Sequence, residues 1–142
     1  NEEKIIKMAL VHDMAETRVS DHSYVQKVYV QADEHSAAND LFAGTSFEDL
    51  NTDTLKEYEE RQCIEAKIVK DADNLDVDLE MRELEQKGSK LPSKWMGNRA
   101  LVRNEKLYTE SAKKLWDSLN EVDVDSWHME TNKWNRIPDA GK

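Results

Sequence analysis

Apolar residues recur three and four positions apart along most of this chain, the spacing of a helix with one buried face. Ile5, Met8, Ala9 and His12 keep that spacing and predict a helix over residues 2–14. The polar run Thr17–Ser23 predicts a loop. Val25, Val28, Tyr29 and Ala32 predict a helix from Tyr24 to Phe42 that stops at Gly44, and Thr45–Asp53 reads as a linker. The longest helical signal runs from Thr54 to about Gln86, with Ile64, Ile68, Ala72, Leu75 and Leu79 as its apolar stripe. Gly88-Ser89 and Leu91-Pro92-Ser93 interrupt the pattern. Ala112, Leu115, Trp116 and Leu119 predict a helix over Glu110–Asn120, with Thr109 as its N-cap. A last helix, beginning after Asp123 or Asp125, would carry Trp127, Thr131 and Trp134 on one face. The expected fold class is all-α.

Composition narrows this further. A length of 142 residues favours one domain, residues 1–142. With 4 glycines and 2 prolines the chain lacks the turn residues that a β-sandwich or barrel needs. The 20 basic and 30 acidic side chains give a net charge of −10, which repels a nucleic acid polymer. It does not exclude a small phosphate ester held through a metal ion. Cys63 is the single cysteine, so no internal disulfide can form, which fits a reducing compartment. No apolar run approaches the roughly 18 residues of a membrane span and no signal peptide is visible, so the expectation is a cytoplasmic protein without a membrane partner. The chain opens at Asn1 inside helical sequence and without a methionine, so we expect an N-terminal piece to be missing.

Two acidic clusters could carry chemistry. In Leu10-Val11-His12-Asp13-Met14-Ala15-Glu16 the adjacent His12 and Asp13 stand about 100° apart around a helix end, where both can reach one cation. Imidazole with carboxylate suits Mn, Co, Fe or Zn better than Ca. Alone, such a dipeptide is common as a surface or capping pair. The second cluster, Lys70-Asp71-Ala72-Asp73-Asn74-Leu75-Asp76, lies beside the stripe residues Ala72 and Leu75. Asp73 is therefore expected near the buried side, where a carboxylate costs desolvation that a metal ion would offset. Asp71 and Asp78 read as solvated charges.

Together these blocks resemble the HD-domain metal phosphohydrolase superfamily, and within it the branch of 5′-deoxynucleotidase-like proteins. The resemblance rests on His12, Asp13, Glu16 and Asp21 in the first block, and on Glu65, Ala66, Ala72, Asp73 and Leu75 in the second. It spans roughly residues 5–85. Ser20 departs from it, standing where the family usually has glycine, and is expected to alter the turn only mildly. The resemblance implies an HD-type helical bundle and one divalent metal ion (Mn, Co, Fe, Zn or Mg) held by four ligands. His12, Asp13 and Asp73 supply three of them. The fourth, an upstream histidine, is expected in the missing N-terminal piece, because His12 is the first histidine of the chain.

The implied reaction is hydrolysis of a phosphomonoester, with a (deoxy)nucleoside monophosphate as the small nucleotide substrate. Glu16 falls one turn after Asp13, near enough to orient a water or take its proton. The resemblance gives Asp21 a contact to the sugar or a part in assisting the leaving group. Arg18, beside Glu16, is the candidate phosphate contact. Lys67 and Lys70 read as helix-surface charges, and His22 and His128 as exposed or structural. Asp33-Glu34-His35-Ser36 looks like an upstream-ligand context, but it follows the His-Asp pair, so its chain order is wrong. An HD hydrolase of another small phosphate ester, a nucleoside triphosphate or an alarmone, is the second reading. The third is a non-catalytic helical interaction module whose tryptophan-bearing C-terminal helices meet a partner. Similar proteins are often homodimers, and the oligomeric state stays open.

Overall fold

The computed structural model describes residues 1–127, and all regular structure among them is helical. The chain divides into two units, Asn1–Lys70 and the part from Asp71 onward. His128 and the predicted helix face bearing Thr131 and Trp134 lie outside the described residues, while Trp127 is exposed. No helix among the described residues is long and apolar enough to cross a membrane.

The first unit contains α1 (Glu2–Val11), α2 (Glu16–Val19), a 3-10 turn (Gln26–Val28) and α3 (Glu34–Phe42). A turn of π-helix (Leu50–Leu55) then runs into α4 (Lys56–Glu60), and α5 (Ile64–Gln86) begins after Arg61–Cys63. Met8 of α1 is fully buried against Tyr58, Ala66 and Val69, with Ile5 and Cys63 packed around them. Removing such a side chain from water stabilises a fold by about 1.5–3 kcal/mol. A second cluster joins Val11 and Ala15 to Ala37, Ala38, Phe42 and Leu55.

Several boundaries differ from those the periodicity predicts. The expected loop Thr17–Ser23 is helical as far as Val19. The expected helix Tyr24–Phe42 begins only at Glu34, where the Asp33 carboxylate accepts the Ser36 N–H at 3.0 Å and caps it. Upstream, the Ser23 N–H donates to Gln26 Oε1 at 2.8 Å, and the Gln26 N–H donates back to Ser23 Oγ at 3.4 Å. These side-chain bonds compete with helix and close a tight turn that leaves Val25, Val28 and Tyr29 exposed. The segment Thr54–Gln86 is not one helix, because Arg61 adopts a left-handed conformation with φ 53° and ends α4.

The second unit contains the rest of α5, α6 (Leu91–Leu101), a π-helical turn (Val102–Lys106) and α7 (Glu110–Glu121). Helix α6 escapes the apolar pattern; Pro92 sits in its first turn, where a missing N–H costs nothing. Thr109 caps α7 as its sequence predicts, accepting the Ala112 N–H at 3.1 Å. Leu75, Leu107 and Ala112 form the core, with Trp116 and Leu119 against them.

Asp71 and Asp78 overturn their expected role as solvated charges, being only 3% and 8% exposed. Asp71 accepts the backbone N–H groups of Tyr108 at 2.7 Å and Thr109 at 2.9 Å, at the entry to α7. Asp78 receives Arg99 in a bidentate pair, both bonds at 2.7 Å, and Arg99 also donates to the Asn74 carbonyl at 2.8 Å. The predicted stripe of α5 is corrected too. Ile64, Ile68, Ala72 and Leu79 are exposed, whereas Ala66, Val69, Asp71, Leu75 and Asp78 are buried. At about 100° per residue, Ala66 and Val69 lie about half a turn around the helix from the later three. The buried side changes phase along α5, so no single stripe describes it.

Candidate metal and phosphoester site

Helix α1 stops at Val11, and His12 is its C-cap residue, donating its backbone N–H to the Met8 carbonyl at 2.9 Å. Carbonyls in the last turn of a helix lack intrahelical donors. The His12 ring supplies one, with Nδ1 at 2.9 Å from the Ala9 carbonyl. A carbonyl only accepts, so Nδ1 carries a proton and the neutral ring has its lone pair on Nε2. That atom lies 3.0 Å from Asp13 Oδ2. Two acceptors this close need a proton or a cation between them. The His12 side chain is 17% exposed and the Asp13 side chain 56%. Tyr58 also packs against the imidazole, edge to face, with ring centroids 5.4 Å apart.

Glu16 opens α2 and is half-buried. Burial holds its carboxyl above the ordinary range, and the negative fields of Asp13, Asp21 and Glu34 add to that, with Lys27 opposing. It forms no ion pair with the two nearest basic candidates in sequence. Lys7 is bound to Glu3 at 2.7 Å, and exposed Arg18 donates to the Asp40 carbonyl at 3.5 Å. Between Glu16 and Asp21 the chain turns at Ser20, with φ 69° and ψ 149°. An L side chain is strained in that region and glycine is not. The replacement of glycine by serine, expected to be mild, is therefore a strained turn. It leads into Asp21, which is exposed yet acts electrostatically on Glu16.

The remaining candidates are placed less tellingly. His22 is half-buried in the loop, and His35 is exposed in the first turn of α3, where Asp33 and Ser36 form a helix cap. Lys67, Lys70 and Asp73 are half-buried along α5, with Asp73 one turn beyond the core residue Val69. Tyr58 and Arg61 were not visible as site residues in the sequence. Nothing in their spacing distinguishes them from ordinary helix positions.

Residues 1–116 match the HD domain family. The chain is 35% identical over 92 residues to the 5′-deoxynucleotidase HDDC2 of Danio rerio, covering 61% of this chain and 46% of that protein. It thus spans about half the length of that curated relative. No solved structure matches.

Proposed function

Because the chain belongs to the HD-domain family of metal-dependent phosphohydrolases, we propose that it is a 5′-nucleotidase releasing phosphate from (deoxy)nucleoside monophosphates. His12, Asp13 and Asp73 are the proposed metal ligands. One imidazole and two carboxylates make a donor set suited to a divalent transition metal or Mg. The observation that carries the reading is the His12–Asp13 pair, with Nε2 turned to a carboxylate 3.0 Å away. The bond from Nδ1 to the Ala9 carbonyl fixes the tautomer that puts the lone pair on Nε2, as outer hydrogen bonds do for metal-bound histidines.

A divalent ion bound there supplies charge to polarise a phosphoryl oxygen and acidify a water. Glu16 is the proposed general base. Burial raises its affinity for protons, which strengthens it as an acceptor for one from the attacking water. Asp21 is assigned to the sugar or the leaving oxygen, and Arg18 to the phosphate. The choice of a nucleoside monophosphate rests on the curated relative, itself a 5′-deoxynucleotidase.

The test measures metal content and phosphate release over a panel of deoxynucleoside monophosphates. Asp73→Asn removes one anionic ligand at constant volume, so it should keep the helical fold and lose tight metal binding. Unchanged metal content in that variant would remove Asp73 from the site. Hydrolysis of other phosphate esters, but of no nucleoside monophosphate, would overturn the substrate class.

A further inference from the structure

The imidazole of His12 is held from more than its hydrogen-bonding edge. Tyr58, 6% exposed, stands against it with an interplanar angle of 73°. Tyr58 is itself gripped. The Arg61 guanidinium lies over its ring, 3.4 Å from the centroid, and also donates through Nη1 to the Tyr58 backbone carbonyl. Arg61 reaches that place from a left-handed backbone, φ 53°, at the end of α4. Such a conformation is unfavourable for arginine, and stacking on an aromatic face helps to offset it. The phenol ring is thus fixed by core packing with Met8, Ala66 and Val69 and by a cation above it.

We propose that Tyr58, clamped by Arg61, is a positioning residue for the His12 imidazole, holding the ring in the orientation that aims Nε2 at Asp13. The Ala9 carbonyl sets which nitrogen is protonated, but a hydrogen bond to one ring atom does not by itself stop the ring from swinging about it. An edge-to-face neighbour 5.4 Å away restricts that swing. The consequence is a nitrogen ligand oriented before any ion arrives. The inference deepens the metal reading above and rests on it only for its consequence. The ring's orientation is a property of the metal-free chain.

The experiment uses the whole chain, labelled with ¹⁵N at histidine, and Mn²⁺ alone as the metal probe. Tyr58→Leu removes the ring, Tyr58→Phe keeps it, and Arg61→Asn removes the cation from a position whose backbone asparagine tolerates. In the metal-free protein with neutral imidazole, Tyr58→Leu and Arg61→Asn should shift His12 from the Nδ1–H tautomer toward a mixture. Tyr58→Phe should keep the wild-type spectrum. Mn²⁺ should bind about tenfold more weakly to Tyr58→Leu and like wild type to Tyr58→Phe. A folded Tyr58→Leu with the wild-type His12 tautomer overturns the proposal. If that variant does not fold, Arg61→Asn decides in the same way. Tyr58→Phe behaving like Tyr58→Leu would also overturn it, since the hydroxyl rather than the ring would then act. A tautomer shift in a protein whose wild type binds no Mn²⁺ upholds the positioning role and defeats the metal reading instead.

Discussion

Asp13 in the first unit and Asp78 in the second are both aspartates within bonding distance of a nitrogen, yet their settings are opposite. Asp78 is 8% exposed, and Arg99 meets both of its oxygens with a fixed fork of donors. Its charge is neutralised and its geometry is complete. Asp13 is more than half exposed, and the nitrogen beside it belongs to a ring whose proton is already given to Ala9. Its partner is a single imidazole nitrogen rather than a fork of donors. Asp71 follows Asp78, since both of its oxygens accept backbone N–H groups. Burial with all acceptors satisfied marks a structural carboxylate. Partial exposure with lone pairs converging marks a candidate ligand.

The largest effect is expected at Glu16, which lies one turn beyond Asp13. Glu16→Gln should lower kcat on a deoxynucleoside monophosphate by about 10²–10⁴-fold, the usual worth of a general base, with metal content little changed. Turnover within a few-fold of wild type would remove Glu16 from the chemistry. The same variant has a pH signature. A carboxyl whose folded pKa is raised binds its proton more tightly in the native state, so stability falls as pH rises from the ordinary carboxylate range through the raised folded value. At neutral pH, Glu16→Gln should therefore melt above the metal-free wild type, and the difference should vanish in acid. An equal difference at all pH values would contradict this.

Next comes the complete pair. Arg99→Met leaves Asp78 buried and uncompensated, which should cost about 3–5 kcal/mol in denaturant unfolding. Because the effect is structural, Arg99→Met combined with Asp78→Leu should recover much of it. A double variant as unstable as the single would break the contrast drawn between Asp13 and Asp78. Asp71→Ala orphans the Tyr108 and Thr109 N–H groups and should cost about 1–3 kcal/mol, read from the same unfolding curve. Smallest is Ser20→Gly. It relieves a backbone strain of roughly 1–3 kcal/mol against the extra chain entropy of glycine, for a net gain of about 1 kcal/mol. A loss of thermal stability on making this change would show that Ser20 is not strained.

The helical class and the capping of α7 by Thr109 were legible because they depend on residues three and four apart in the chain. So was the His12–Asp13 pair, since adjacent side chains at a helix end meet without help from the rest of the fold. The family resemblance could be read in the same stretches, and residues 1–116 match that family. Other features had no local signature. The apolar stripe of α5 failed because different stretches of that helix bury different sides, a choice made by distant partners such as Met8 in one unit and Leu107 in the other. The segment Tyr24–Val30 has helical spacing, yet Ser23 and Gln26 bond to each other's backbone and keep it a turn.

Sequence alone determined the helical class, the candidate donors and the chemistry those donors allow, because helix periodicity, donor type and charge are properties of residues and their near neighbours. Which carboxylates are neutralised was decided only by tertiary structure. Asp71 and Asp78 carry the same carboxylate group as Asp13 and Glu16, and nothing in the chain marks them apart. Their partners lie 21 to 38 residues away along the chain. The orientation of His12 by Tyr58 belongs to the same class, for 46 residues separate the two rings and only packing brings their centroids to 5.4 Å. Desolvation and pairing depend on what the fold places around a group, and no spacing rule within one helix carries that information.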